Sequence, residues 1–340
     1  MNVLNTLFVL SPGAYVARDH QNLIVRVDRE IRLRVPIHGL ASVACFGHAM
    51  MSPQAMGITA ARGVQVAFFS QTGRFLARVE GIGRGSLALR RSQLRATDDD
   101  AKRRSISCSI VAGKIANSRQ NLLRRARESK EPQRTESLSR AADHLARLLR
   151  SLPAATSVDQ IRGYEGDAAA RYFGVLNDCI SAEGFCFSGR SRRPPRDPVN
   201  ALLSFAYAIL LGDCVAALAG VGLDPDAGFL HRDRPGRPGL ALDLLEELRA
   251  PFADRLVLSL LNRGQLHSED FAREPTGGVA MTDRARRAFL ASYQTRKQQE
   301  VRHAFLDRTV PWALIPHLQA RLLARHLRGD LEVYPPYASK

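Results

Sequence analysis

Two segments of the chain place acidic and histidine side chains at spacings that suit metal-assisted chemistry. In the segment RGYEGDAAARYF, Glu165 opens a predicted helix whose next turn is apolar. In the segment GFLHRDRPGRPGLALDLLEELRA, His231 precedes a turn rich in proline and glycine, and a predicted helix with Asp243 and Glu246 follows. The spacing of three puts Asp243 and Glu246 on one helical face, with their Cβ atoms about 5–6 Å apart.

A histidine nitrogen together with several carboxylate oxygens suits Mg²⁺ or Mn²⁺ and leaves coordination positions open for phosphate and water. The leucines around Asp243 would partly desolvate the acids, and a divalent cation would offset that cost. A second interpretation of the pattern stays open, in which both acids face solvent and His231 is an ordinary turn residue. The sequence contains no Walker loop, dinucleotide fingerprint, nucleophile elbow or H-E-x-x-H motif.

The charge of the chain favours a polyanionic partner. Its 340 residues include 49 Lys+Arg and 33 Asp+Glu, a formal net charge of +16. Residues 1–90 carry 10 basic and 4 acidic side chains, and residues 91–150 carry 15 and 7, whereas residues 151–340 are nearly balanced at 24 and 22. No basic amphipathic helix with a strong aromatic face accompanies this charge, so nucleic acid is favoured over a membrane surface. A basic surface that only aids solubility is the alternative.

The predicted secondary structure that would carry these residues changes along the chain from strands to helices. Residues 2–80 show short β-rich runs with turn residues between them, interrupted by one predicted helix over residues 53–62. The glycine-rich residues 80–86 are typical of a linker, and helical periodicity follows almost to the end. The sequence therefore predicts an α+β protein, with a β-sandwich-like domain over residues 1–86 and a larger all-α domain over residues 87–340.

Cysteine usage and hydropathy indicate an intracellular protein. The five cysteines form an odd set without C-x-x-C spacing, which argues against a disulfide framework or a zinc ribbon. No run of about 18 uncharged apolar residues occurs. No signal-peptide pattern opens the chain. We therefore expect a cytoplasmic location and no membrane partner.

Taken together, the segments resemble the CRISPR-associated adaptation endonuclease, the integrase that inserts new spacers into CRISPR arrays. The resemblance runs from end to end and comprises, in order, SPQAMGITAARGVQVAFFSQTGRFLARVEG, GKIANSRQNLLRRAR, RGYEGDAAARYF, DPVNALLSFAYAILLGDC, GFLHRDRPGRPGLALDLLEELRAPFADRLV and GGVAMTDRARRAFLASYQTRKQQEVRHAFL. Each segment alone is a weak signal, but their order and spacing make the set specific. The surroundings of HRDRPGR are similar to the subtype I-C branch of that family.

The resemblance implies a divalent-metal site with Mg²⁺ or Mn²⁺. Carried over by position, the catalytic residues are Glu165, His231 and Asp243, and the metal ligands are these three together with Glu246, whose neighbour Glu247 leaves the role of the last acid open. The implied reaction is attack of a DNA 3′-hydroxyl on a phosphodiester. Water in place of that hydroxyl would give hydrolysis of branched DNA.

The resemblance also implies how DNA and partner proteins are bound. The predicted DNA-binding surface combines one basic helix with the loop GRSRRPPRD, and it comprises Lys114, Arg119, Arg124, Arg125, Arg190, Arg192 and Arg193. Its arginines would contact phosphates of double-stranded and branched DNA without reading sequence. Family members form homodimers through the β-rich domain and assemble with a small ferredoxin-like adaptation subunit into a heterohexamer. A structure-selective repair nuclease and a non-catalytic architectural DNA-binding protein are the two alternative functions.

Overall fold

Two four-stranded sheets form the N-terminal part of the chain in the computed structural model, which describes residues 5–71, 73, 75–79, 81, 87–275 and 277–339. One sheet has the strand order β4-β3-β2-β6 and the other β1-β5-β7-β8. Their apolar faces share one core, as expected of a β-sandwich-like domain. The elements are β1 (Thr6–Val9), β2 (Tyr15–Asp19), β3 (Asn22–Val27), β4 (Glu30–Pro36), β5 (Ser42–Phe46), β6 (Met50–Met51), α1 (Pro53–Arg62), β7 (Gln65–Phe69) and β8 (Phe75–Val79).

Helix α1 begins and ends where the sequence predicts. Ser52 Oγ accepts a hydrogen bond from Ala55 N at 3.2 Å, and Pro53 occupies the first helical position, where no backbone N–H is needed. Gly63 follows the last turn with φ of +72°, the left-handed conformation that glycine adopts without a steric penalty. The short-range capping signals are therefore sufficient to fix this helix.

The rest of the chain is mainly helical, as predicted, and its helices pack around one large core. The central α6 is buried over most of its length, and α3 packs against α4, α5 and α7. The helices are α2 (Leu87–Asp98), α3 (Asp100–Glu128), α4 (Pro132–Ser151), α5 (Val158–Gly174), α6 (Pro198–Val221), α7 (Gly239–Leu248), α8 (Arg255–Asn262), α9 (Asp283–Gln298) and α10 (Ile315–Arg328).

Two antiparallel hairpins also occur in this domain, which the sequence predicts to be all α. Strands β9 (Phe271–Arg273) and β10 (Val279–Met281) form the first, and β11 (Glu300–His303) and β12 (Arg308–Pro311) form the second. The second hairpin interrupts the helical pattern that the sequence predicts to continue almost to the end of the chain. Its turn contains Asp307 at φ of +49°, a conformation that a helix does not contain.

Helices α7 and α8 are joined by a π-helical segment, Arg249–Asp254. Pro251 lies in this segment, and its ring removes one backbone donor and crowds the preceding turn. The wider π-helical turn absorbs that disturbance without ending the helical path. As a result Arg249 and Asp254 both lie among the buried groups near the candidate site.

Helix α6 is the one helix among the described residues that is long and apolar enough to cross a membrane. Of its most apolar 18-residue window, 67% is buried inside the protein. The helix is therefore the centre of the helical core.

Aromatic side chains join the two parts of the chain. Phe46 of β5 stacks on Phe69 of β7 with ring centroids 5.0 Å apart, and it lies 5.8 Å from the ring of Phe205 in α6. This contact fixes the second sheet against the helical core. Residues 82–86, which contain most of the predicted linker and the predicted boundary after residue 86, lie outside the described residues, so that boundary stays a prediction.

Candidate metal and DNA site

Three helices and one loop meet at the candidate site. Lys114 lies in the middle of α3, Glu165 in α5 and Glu246 near the end of α7, while His231 lies in the loop before α7. Helix α5 begins at Val158, so Glu165 lies about two turns inside the helix and not at its start, where the sequence places it. Being inside the helix holds the Glu165 side chain more firmly than a helix end would.

A buried lysine connects the two glutamates. The ammonium group of Lys114 contacts Glu165 Oε1 and lies 2.7 Å from Glu246 Oε2. The side chain of Lys114 is 10% exposed, although the sequence predicts it on a DNA-binding surface. Its placement therefore makes Lys114 part of the carboxylate cluster, and a contact with DNA would require it to leave these two partners.

Asp243 is fully buried and uses both carboxylate oxygens in hydrogen bonds. Its Oδ2 accepts from the backbone N–H groups of Phe229, at 2.6 Å, and Leu230, at 3.0 Å. Its Oδ1 accepts from His231 N at 3.0 Å and lies 2.6 Å from His231 Nδ1. A carboxylate can only accept, so Nδ1 carries the proton and Nε2 keeps a free lone pair. Nε2 lies 4.0 Å from Glu246 Oε1.

Two cations keep Glu246 ionised. Burial alone raises the pKa of this carboxyl, but Arg249 and Lys114 lower it by more, and the resulting pKa is about 2. Arg249 Nη2 lies 3.0 Å from Glu246 Oε1, and its guanidinium also packs over the ring of Tyr207, 4.9 Å from the centroid. Glu246 is thus held as a carboxylate in a buried position next to His231.

The neighbouring Glu247 faces the opposite way. It accepts hydrogen bonds from Tyr334 OH at 2.7 Å, Tyr337 N at 2.8 Å and Gln319 Nε2 at 2.9 Å. Burial raises the pKa of its carboxyl to about 8, against the effect of these donors. Glu247 therefore attaches α7 to the C-terminal residues, and Glu246 is the acid that faces the site.

The raised pKa of Glu247 predicts a change of stability with pH. An unfolded glutamate has a pKa of about 4.3, so the folded chain holds this proton more tightly than the unfolded chain does. That contribution is complete below about pH 4 and is lost as the pH rises through about 8. Relative to E247Q, the free energy of unfolding of the wild type should fall between about pH 5 and pH 8. Urea unfolding at several pH values measures this free energy, and an equal pH dependence of the two proteins would contradict the prediction.

The cluster fits a divalent cation by the chemistry of its donors. The oxygens of Glu165 and Glu246 converge on one positive charge, the ammonium of Lys114, and the free lone pair of His231 lies beside them. Lys114 is the cation that stands where a metal ion would neutralise the two acids. Among the described residues, no group of three or more His, Cys, Asp or Glu side chains is already gathered for a metal.

The other residues predicted to bind DNA are partly on the surface. Arg124 and Arg125 both pair with Glu128, at 2.7 and 2.9 Å, and Arg119 is half-buried in the same helix. Arg192 and Arg193 are exposed on the loop before α6. Arg124, Arg192 and Arg193 are therefore exposed and Arg119 and Arg125 partly exposed, whereas Lys114 is buried.

Arg190, on the same loop, is anchored to α6 instead. Its Nη1 donates to Asn200 Oδ1 at 2.7 Å and its Nη2 to Ser204 Oγ at 3.0 Å. The guanidinium also packs over the Tyr207 ring, 5.4 Å from the centroid. Burial lowers the pKa of Arg190. Its contacts favour a role in holding the basic loop in place.

Sequence reasoning missed Arg249 and the placement of Lys114. Arg249 follows Glu246 by three residues, and this helical spacing could have predicted the ion pair between them. The position of Lys114 depends on the packing of α3 against α5 and α7, which are distant in sequence, and no local pattern announces it.

The family model described as CRISPR associated protein Cas1 matches residues 7–295 of the chain. The chain belongs to the Cas1 family. The CRISPR-associated endonuclease Cas1 1 of Chlorobaculum tepidum is 46% identical over 336 residues, with 98% of each chain covered. The CRISPR-associated endonuclease Cas1 2 of Rhodospirillum rubrum is 48% identical over 341 residues, again with 98% of each covered. The predicted family and enzyme class are thereby confirmed: the chain is a CRISPR-associated endonuclease.

Solved structures show the same fold. A CAS1 protein from Thermotoga maritima superposes with a TM-score of 0.82 at 22% identity, covering 97% of this chain and 99% of its own. A casposase bound to integration product gives 0.84 at 22% identity, covering 99% and 94%. A chain of a Cas6-RT-Cas1–Cas2 complex gives 0.83 at 26% identity, covering 98% of this chain but 36% of the other. The α+β prediction is confirmed for this Cas1 chain, while the finer subtype I-C assignment stays a prediction.

Proposed function

We propose that this chain inserts short DNA fragments into a CRISPR array, using the cluster of Glu165, His231 and Glu246 to hold a divalent cation at the reacting phosphodiester. The observation that carries the proposal is the bridge that Lys114 forms between the buried Glu246 and the half-buried Glu165, with the free nitrogen of His231 beside it. Removing these charged groups from water lowers the stability of the fold unless the cluster binds a cation or a substrate. The family of the chain supplies the DNA reaction.

The geometry supports a division of labour among the four residues that the resemblance treats as ligands. Glu165 and Glu246 both contact the ammonium of Lys114, and His231 Nε2 lies 4.0 Å from Glu246 Oε1, so these three residues are the proposed ligands. Asp243 has both oxygens committed to backbone N–H groups and to His231 Nδ1. Its proposed role is to orient the imidazole and fix its tautomer, as carboxylates beside metal-binding histidines commonly do. Mg²⁺ and Mn²⁺ are the two candidate metals. The two carboxylates favour Mg²⁺, and the imidazole is equally compatible with Mn²⁺.

When bound, the cation supplies positive charge that activates the attacking hydroxyl and stabilises the leaving oxygen. The residues of the chain prepare the site for it. Arg249 and Lys114 keep Glu246 ionised, and Asp243 holds the proton of His231 on Nδ1 so that Nε2 stays free. A DNA 3′-hydroxyl attacking a phosphodiester in this cluster gives strand joining, and water in its place gives hydrolysis.

The proposed DNA surface consists of exposed and half-buried arginines near the cluster. Arg119, Arg124 and Arg125 lie on α3, one to three turns beyond Lys114, and Arg192 and Arg193 lie on the loop before α6. These side chains would position double-stranded or branched DNA through its phosphates. Because phosphate contacts release counterions, binding through them should weaken steeply with salt.

The proposed partners are a second copy of the chain and a small adaptation subunit. Strand β4 is an edge strand and exposes Ile31 and Leu33, a surface that suits a homodimer through the β-rich domain. Two related structures are a Cas6-RT-Cas1–Cas2 complex and a partial one, which supports a Cas2-type partner. The assembly that we propose with this partner is a heterohexamer. We further propose that the assembly acts in the cytoplasm, where its DNA substrates lie.

A strand-transfer assay tests the proposed function. Short duplex DNA and a supercoiled plasmid carrying a repeat are incubated with Mg²⁺ or Mn²⁺, with and without the small subunit, for the wild type and H231A. Metal-dependent covalent joining that H231A lacks is the expected result. Nicked or resected products without joining would favour a repair nuclease instead. DNA binding without joining or cleavage in either protein would favour an architectural role.

Replacing Asp243 by asparagine tests the orienting role. The amide would place N–H groups against the backbone donors of residues 229–231 and would no longer hold the His231 proton. We expect D243N to bind Mn²⁺ about 10–100-fold more weakly. Calorimetric titration of metal measures this, with circular dichroism to verify the fold. Metal affinity equal to that of the wild type would rule out the orienting role.

A further inference from the structure

The peptide bond that precedes His231 is held from both sides. Its N–H donates to Asp243 Oδ1 on α7 at 3.0 Å, and its carbonyl oxygen, that of Leu230, accepts from Arg162 Nε on α5 at 2.7 Å. In a planar trans peptide the N–H and the carbonyl point in opposite directions. Rotation of this peptide plane would therefore break both contacts. The direction in which the backbone presents the imidazole is fixed by α5 and α7 together.

The same contacts join the two helices that carry the acidic ligands. Arg162 lies one turn before Glu165 on α5, and Asp243 lies one turn before Glu246 on α7. The row from Arg162 through the peptide bond to Asp243 thus spans the gap between the two helices close to both glutamates. Metal–ligand distances in proteins stay within about 0.2 Å of their usual values, so a change in that gap would displace the ligands.

Helix α5 contacts the loop on both sides of His231. Arg162 Nη1 donates to Asp159, one turn earlier on α5, and Asp159 also accepts from Arg232 Nη2 at 2.9 Å. The pair of Asp159 and Arg232 is 67% and 65% exposed, so it adds little stability. The side chain of Arg162 is 25% exposed and is therefore the stronger anchor of the loop.

The guanidinium of Arg162 is shaped for two contacts at once. Its planar fork donates to Leu230 O and to Asp159, and the single ammonium of a lysine does not match these two directions. Its Nη2 is buried and has no hydrogen-bond partner among the residues that the structure describes. An unpaired buried donor lowers stability. Stability alone therefore does not favour an arginine here, whereas control of the loop requires its two bonded nitrogens.

We propose that Arg162 is a positioning residue that orients His231 and sets the gap between α5 and α7 before the metal binds. The inference rests on the proposed function, which makes His231, Glu165 and Glu246 the metal ligands. Arg162 acts through the peptide bond and touches neither the metal nor the reacting atoms. Its loss should therefore weaken metal binding, leave DNA binding unchanged, and slow the reaction only where the metal is not saturating.

Calorimetric titration of the full-length protein with Mn²⁺ tests this role in the wild type, R162M, R162K and R103M. Arg103 provides the matched control, because its Nε donates at 2.9 Å to the carbonyl oxygen of Phe229, one peptide unit farther from His231. It lies on α3, which carries no proposed ligand. We expect R162M to bind Mn²⁺ about tenfold more weakly than the wild type, and R103M to bind it equally well. R162K keeps one donor for Leu230 O and should bind more tightly than R162M.

Two further measurements separate positioning from the other roles of an arginine. An arginine that only stabilises the fold would lower the free energy of urea unfolding without changing the Mn²⁺ affinity of the folded protein. An arginine that contacts DNA would, when replaced, weaken metal-free binding of branched DNA and reduce its salt slope. For R162M we expect the DNA affinity and the salt slope of the wild type, and a cleavage rate that recovers at saturating Mn²⁺.

Equal Mn²⁺ affinity of R162M and R103M, or weaker metal-free DNA binding by R162M, would overturn the inference. If R162M does not fold, R162K decides, and wild-type Mn²⁺ affinity in R162K would then overturn it. H231A keeps the two tests apart. If H231A binds Mn²⁺ as tightly as the wild type does, the proposed function fails first and the inference fails with it.

Discussion

E246Q should lose metal-dependent DNA cleavage and joining by about 10²–10³-fold, the range seen when a group that stabilises developing charge is removed. Glutamine has nearly the same shape but no charge, so the cluster keeps one ionised carboxylate, Glu165, in place of two. Lys114 and Arg249, which share Glu246, would then be under-neutralised. Single-turnover cleavage of a branched DNA in Mn²⁺ measures the effect directly.

The adjacent acid provides the matched control. Glu247 is also buried on α7, but its pKa of about 8 means that it is already largely protonated at neutral pH, and its contacts are to Tyr334, Tyr337 and Gln319. E247Q should therefore keep activity within about tenfold of the wild type, the lower end of the range for positioning groups. If E247Q and E246Q lose activity equally, the assignment of Glu246 as the acid that serves the metal is wrong.

K114M should destabilise the metal-free protein by about 3 kcal/mol, because Glu165 loses its cation and the buried Glu246 keeps only Arg249. Glu246 is almost completely buried and Glu165 is half-buried, so solvent cannot replace the lost charge fully. A divalent ion should restore most of this loss, since it neutralises the same two groups. The stabilisation by Mn²⁺, measured by urea unfolding, is therefore expected to be larger in K114M than in the wild type.

The control for K114M is a surface ion pair of the same type. Arg140 pairs with Glu136 one turn away, and both side chains are largely exposed. R140M should change the free energy of unfolding by less than about 1 kcal/mol, with no dependence on metal. An equal response of K114M and the wild type to Mn²⁺ would mean that Lys114 does not occupy the cation position of the cluster.

The sequence predicted strands first and helices afterwards because that order depends on local signals. The caps of α1, the β-rich start and the helical periodicity after residue 87 all act over a few residues. The family motifs likewise placed Glu165, His231, Asp243 and Glu246 near one another. The two hairpins and the π-helical segment were missed because β pairing and helix widening depend on partners outside the local window.

The separate roles of the site residues required the three-dimensional arrangement. Asp243 and Glu246 share one helical face, so their spacing cannot tell which acid faces His231 Nε2. The backbone N–H groups of residues 229–231 decide it, because they converge on Asp243 and leave Glu246 to the cations. Glu247 is instead bound by Tyr334 and Tyr337, C-terminal residues that are distant in sequence.

Anomalous scattering from crystals soaked in Mn²⁺ would show directly which residues hold the metal. We expect one manganese peak within coordination distance of Glu165, His231 Nε2 and Glu246, with the Lys114 ammonium displaced and Asp243 still hydrogen-bonded to His231 Nδ1. A peak bound directly by Asp243, or manganese found only away from this cluster, would contradict this expectation.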